Sequence, residues 1–196
     1  MAQSNNPFGL QPVKPFGNAP YSGAVQRVLI TASDGNNMGI GDPVVLYGDA
    51  NTAGTVPTVT LASAGKTHPI LGVITSFELN PDSLYTVYRK ASVAAYANIV
   101  IATPDMLFEV QAGATVLPYT TVGLNAELKA GSVNTYTGLS GWYMDSGDTT
   151  APDVDVTGQL TILGFSTKPG NDITAAYGVW RVRINLCQLA NAVAGV

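Results

Sequence analysis

Few side chains in this sequence are of the types that do covalent or acid–base chemistry. One histidine, His68, would have to act as the base for any serine- or cysteine-type nucleophile, and it lies in a Thr-His-Pro turn with no carboxylate close in sequence to orient it. The one cysteine, Cys187, excludes an internal disulfide framework. With a single histidine beside it, a typical zinc or transition-metal site is out of reach for one chain. Cys187 ends an amphipathic run and reads as a small core or interface residue. Ala64-Gly65-Lys66-Thr67 has the spelling of the end of a phosphate-binding loop. Thr60, however, stands where that loop needs its first glycine, and His68-Pro69 hinders the helix that should follow, so a plain turn accounts for it.

Carboxylates are the remaining resource. Asp145, Asp148, Asp153 and Asp155 fall within eleven residues and offer the hard oxygens that calcium prefers. Their spacing matches no EF-hand, and the Gly, Thr and Pro between them fit a solvated loop. A glycosidase pair would have to be assembled from distant strands. Nine Tyr and two Trp, among them Trp142-Tyr143 beside the acidic run, offer a carbohydrate-stacking surface or ordinary core packing; packing is the preferred reading. The expectation is a protein with no enzyme activity, no cofactor and no metal.

The elements that would position such groups read as β-structure. Charged residues make up 11% of the 196 residues, less than half the ordinary share, and Thr, Ser, Asn, Gly and Ala take their place. A surface of that kind packs against neighbours with little desolvation of ions. The 21 Gly and 12 Pro leave few windows for a long helix, and Val and Thr fill the stretches between them. A net charge of −4 with nine Lys and Arg argues against nucleic acid as a partner. No secretory signal or apolar run of membrane-spanning length is present, so no membrane partner is expected and synthesis is assigned to a cytoplasm.

Two segments are expected: an extended N-terminal arm over residues 1–22 and a single β-rich domain over 23–196. Pro7, Pro12, Pro15 and Pro20 exclude a helix in the arm. Phe8, Leu10, Val13 and Phe16 give it apolar side chains that need a surface, on their own domain or on a partner. Strands are expected at Val25–Thr31, Pro43–Tyr47, Thr55–Ala62 (Pro57 marking an edge or a strand start), Pro69–Phe77, Leu84–Lys90, Val93–Thr103 and Met106–Gln111. Gly123–Lys129 reads equally as strand or helical turn. Gln159–Ser166 and Tyr177–Gln188 read as a hairpin pair, the second with Trp180, Val182, Ile184 and Leu186 on one face. An exposed loop is expected around 145–156. The fold class is all-β, a β-sandwich or small β-barrel.

Several segments resemble the capsid decoration (cement) proteins of tailed bacteriophages. Asn6-Pro7-Phe8-Gly9-Leu10-Gln11-Pro12-Val13, followed by Ala19-Pro20-Tyr21-Ser22-Gly23-Ala24, is similar to their N-terminal arm. Val122-Gly123-Leu124-Asn125-Ala126-Glu127, Thr137-Gly138-Leu139-Ser140-Gly141-Trp142 and Trp180-Arg181-Val182-Arg183-Ile184-Asn185-Leu186 resemble shared segments. Gly41-Asp42-Pro43-Val44 and Pro69-Ile70-Leu71-Gly72-Val73-Ile74 look like the barrel of small trimeric head-decoration proteins. The resemblance implies a virion structural protein: a homotrimer on the outer capsid surface that stabilises the major capsid protein lattice. Phe8, Leu10, Val13 and Phe16 are then the expected contacts to capsid or neighbouring subunit. The rival readings are a receptor- or glycan-binding virion module using the Trp142 region, a tail, neck or fibre component, and a β-rich hydrolase.

Overall fold

The computed structural model describes residues 3–16, 21–81, 84 and 87–189, and these form an all-β structure of a five-stranded closed barrel and a five-stranded open sheet. The barrel takes strands β2 (Gln26–Ile30), β3 (Pro43–Ala50), β4 (Pro57–Leu61), β5 (Gly72–Phe77) and β6 (Ala95–Ile101), in the order β2-β4-β3-β5-β6. Its neighbours are antiparallel except at β2 and β4, which run parallel with Leu29 opposite Thr58. The sheet takes β1 (Gln11–Pro15), β7 (Met106–Gln111), β8 (Asn125–Ala126), β11 (Leu160–Phe165) and β12 (Val179–Ile184), in the order β1-β7-β12-β11-β8. A two-stranded ribbon pairs β9 (Leu128–Lys129) with β10 (Tyr143–Met144). The helical content among the described residues is one 3-10 turn at Tyr119–Thr121, so no helix there is long and apolar enough to cross a membrane.

Side-chain alternation explains the layout. Val28, Ile30, Val44, Val59, Ile74, Ala97 and Ile99 fill the barrel. On β5 and β6 the intervening residues Val73 and Val100 point outward, into the second core beneath the sheet. Both strands are therefore buried on two faces, which is why they read as nearly continuous apolar runs. The second core is the larger: Phe108, Val110, Trp180, Val182, Leu160 and Ile162 come from the sheet, Leu128 and Met144 from the ribbon, and Trp142 from the residue before it. On β12 the expected alternation holds, with Trp180, Val182 and Ile184 buried and Arg181 and Arg183 half-exposed. It pairs antiparallel with β11, as the hairpin reading requires. Pro57 opens β4, where its missing N–H costs no ladder bond within the strand.

The choice left open for the arm falls to its own domain: residues 11–15 are an extended strand on β7, with Val13 as an extra residue between Pro12 and Lys14. Two prolines in five residues hid it, because proline is acceptable on an edge strand, and β1 is an edge. Residues 17–20 of that segment lie outside the described residues. Two expectations need correction. The expected strand at Leu84–Lys90 is not formed over its described residues, which make only a single bridge, Arg89 to Met38. The 145–156 loop is exposed only in part, since Asp145 at its root is buried.

Candidate functional site

Most of the groups that could do chemistry are held in a structural role. His68 is exposed, in the turn after β4, and its carbonyl accepts a bond from Gln159 Nε2 at 3.0 Å. Cys187 is buried, its thiol donating to the Ile184 carbonyl at 3.1 Å, and burial pushes its pKa up to about 11. That thiol is protonated at neutral pH and is no nucleophile. Ala64–Thr67 is a turn with no helix behind it; Lys66 pairs with Asp155 at 2.8 Å and Asp153 at 3.4 Å. The Lys66 ammonium and the Thr157 amide hold the Asp155 carboxyl down at about 2.

The acidic run is not gathered around a cation. Asp145 Oδ1 accepts the backbone N–H groups of Gly147, Asp148 and Thr149, and Oδ2 that of Thr150. Its lone pairs close the loop on itself, as an Asx turn does. With Asp153 and Asp155 on Lys66, the described residues contain no group of three His, Cys, Asp or Glu side chains placed to hold a metal. Trp142 is 2% exposed and lies in the larger core, so it offers no face to a sugar. Of the two readings of that residue, the preferred one, packing, is what the structure shows.

The four arm residues have different fates. Leu10 is 1% exposed and belongs to the larger core; it cannot touch a partner while the sheet is intact. Its amide bonds the Gly41 carbonyl at 2.9 Å, and the preceding Gly9 bonds the Trp142 carbonyl at 3.1 Å. Gly9 has φ of 71°, and a Cβ there would collide with the Gly41 carbonyl, so only glycine allows this approach. Phe8 is half-buried beneath Lys168, whose Nζ lies 5.5 Å from the ring centre and 2.6 Å from the buried Glu109 carboxylate. Lys168 also bonds Gln11, so one lysine clamps the arm to the sheet. Val13 is half-buried in the bulge, and Phe16 is exposed.

Where the arm meets the barrel, Asp42 is 2% exposed. Its Oδ2 accepts the Gly39 amide at 2.7 Å, while Oδ1 has no hydrogen-bond partner. Burial raises the carboxyl to about 6, against the opposing pull of the Ser140 hydroxyl and the Gly39 amide. From this joint two grooves run along β5 and meet at Ile40. One, of about 510 Å³, is walled by Phe8, Pro12, Tyr21 and Leu139. The other, of about 560 Å³, is walled by Phe77, Leu79, Val87 and Val93.

The second groove is the surface that sequence reasoning did not find. Leu79, Val87 and Val93 stand exposed at it, and Tyr136, next to the lining residue Thr137, is 94% exposed. Its floor is set by Arg89, whose side chain is fully buried. The guanidinium donates to the carbonyls of Thr31, Asp34, Asn36 and Val93 and pairs with Asp34 at 3.4 Å. Burial lowers its pKa from the usual guanidinium value, with Asp34 pulling the other way. The sequence signal was present in the apolar residues flanking Asn80-Pro81, but Leu84–Lys90 read as a strand. No family model, curated protein or solved structure matches this chain.

Proposed function

We propose that this chain is a non-enzymatic virion structural protein, a decoration or cement protein that trimerises on the outer head surface of a tailed phage and stabilises the lattice of the major capsid protein. One observation supports this reading beyond the resemblance of its segments: Cys187, Lys66, Asp145, Asp153 and Asp155 are engaged in holding the fold, while large apolar side chains stand exposed. A fold with two well-filled cores and apolar residues on its outer loops is suited to contact with other proteins. Among the arm residues, Phe16 is the one exposed enough to reach a capsid subunit or neighbour, and Phe8, Leu10 and Val13 act by fixing the arm that presents it.

The arm is therefore tested by substitution rather than deletion, since removing residues 1–20 would take Leu10 from the core and β1 from the sheet. The experiment is co-sedimentation of the purified protein with empty, expanded phage heads, followed by heating of the decorated and bare shells. Saturable binding at hundreds of copies per head with a higher shell disruption temperature is expected. Binding of only a few copies would favour a tail or neck component, and no saturable binding would sink the capsid reading. Phe16→Ser should weaken binding without lowering the protein's own unfolding midpoint.

A further inference from the structure

We infer that Asp42 is a pH-sensitive latch on the N-terminal arm: with its proton it stays sealed beneath Gly9 and Leu10, and without it the arm lifts to let water reach the carboxylate. Geometry sets up the conflict. Asp42 is 2% exposed, its Oδ2 accepts one backbone N–H, from Gly39, and its Oδ1 has no hydrogen-bond partner. A carboxylate buried in that way is short of donors for its lone pairs, so the neutral form suits the closed joint. Among the described residues no charged side chain offsets this. Residues 3–13 of the arm, residues 35–41, β4 and β5 hold no ionisable group, and in residues 130–142 there is Tyr136, 94% exposed. On β3, Tyr47 and Asp49 are exposed. Farther out, Glu78, Arg89 and Glu109 are already paired with Arg27, Asp34 and Lys168.

The arm is the side of the joint that can give. Gly9 sits against Gly41 and Ser140, where a Cβ would collide with both. Its amide and that of Leu10 bond the carbonyls of Trp142 and Gly41, so these two residues close over the carboxyl. Across the joint, Pro43 and Val44 are locked in the closed barrel opposite Val73 and Gly72, and Trp142 lies in the larger core. β1, by contrast, is an edge strand bulged at Val13, and Pro12 and Pro15 have no N–H to give to a ladder. Burial holds the carboxyl at about 6 in the closed state, against the ordinary 3.8 once water reaches it. The closed arm therefore binds the proton more tightly than the open one. Its advantage is full below pH ~4, is lost as pH rises through 6 and changes no further above ~7. Across that window the ratio of closed to open arm drops about a hundredfold. The latch acts on the segment that presents Phe16 and does not depend on what Phe16 touches.

Amide hydrogen exchange on the full chain from about pH 4 to 8 tests the latch, each rate being divided by the intrinsic rate at its pH. Protection at Gly9 and Leu10 should fall about a hundredfold as pH rises through 6. It should also stay below that of β6 at every pH, because the arm opens ahead of the barrel. Asp42→Asn has no proton to lose there, and its arm protection should be independent of pH. Should that variant fail to fold, Ser140→Ala reads the same carboxyl. Removing a hydroxyl that favours the charged form should carry the fall to higher pH. Wild-type arm protection that does not change with pH overturns the latch, as do arm and barrel amides that share one protection factor throughout. Binding to heads is scored separately: a flat exchange profile removes the latch and leaves the capsid reading standing, and absence of head binding removes the capsid reading and leaves the latch.

Discussion

The Arg89 segment at the lip of the second groove and the loop at 145–155 both depart from regular β-structure over their described residues, and they are anchored by opposite charges working in opposite ways. Asp145 accepts four amides from the five residues that follow it, so its bonds are local. Arg89 donates to carbonyls of Thr31, Asp34 and Asn36, more than fifty positions away in sequence, and so joins the lip to the turn after β2. A local anchor orders its own loop. A distant anchor ties two parts of the fold together, and its loss reaches both.

The largest effect is expected for Arg89→Met, which leaves four carbonyls and the Asp34 carboxylate short of a donor in a buried place; about 3–5 kcal/mol of stability should be lost. Denaturant unfolding measures it, and the comparison breaks if the loss is under ~1 kcal/mol. Asp42→Asn is the next in size and of opposite sign. Asp42 is a buried carboxyl raised from 3.8 to about 6, so the folded state holds its proton more tightly than the unfolded state. The stability linked to that proton is full below pH ~4 and is lost as pH rises through 6. At pH 8 the charged carboxyl then costs about 2–3 kcal/mol. The asparagine variant should be more stable than wild type at pH 8 by up to that amount, with the difference shrinking toward pH 4. A difference independent of pH would remove the raised carboxyl as its cause.

Asp145→Asn should cost about 2 kcal/mol, since an amide nitrogen cannot accept from the Thr150 amide or share the other three bonds. Hydrogen exchange should speed up at residues 147–150 and stay unchanged in the barrel; faster exchange throughout the barrel would make the anchor global after all. Smallest of all is Lys66→Met. Its ion pairs with Asp153 and Asp155 are solvent-exposed, so no resolvable change in unfolding midpoint is expected at moderate salt. A clear drop would mean that these pairs act as part of a network.

Most of the barrel and sheet was legible in the sequence because inward-facing Val, Ile and Leu alternate with polar residues or run together where both faces are covered. β2, β3, β5, β6, β7, β11 and β12 all lie on such runs. Gly123–Lys129 could not be resolved because the chain does several things within a few residues, a 3-10 turn at 119–121 followed by two-residue strands. The arm's pairing and the 84–90 segment were hidden for complementary reasons. In β1 the prolines outweighed the apolar side chains that seat it, whereas the apolar and aromatic content of 84–90 suggested a strand for a segment whose anchor, Arg89, bonds carbonyls instead of a ladder. Trp142 was read as packing because a bulky aromatic is usually buried, and it lies in the larger core. Asp42 has no sequence signal at all; its burial depends on Gly41 and Gly9 bringing two backbones together.

The strand order of the open sheet also sets a schedule for the chain as it is made. Residues 26–101 supply all five barrel strands, so the barrel can close while later residues are still being added. β1 is synthesised before the barrel, yet β7 follows the whole barrel and β12, the centre of the sheet, comes later still. Leu10 must wait until β12 is made for the core that holds it. Until then the N-terminal segment is an apolar, nearly uncharged thread on a finished barrel, and completing the sheet is the slow, long-range step that withdraws it.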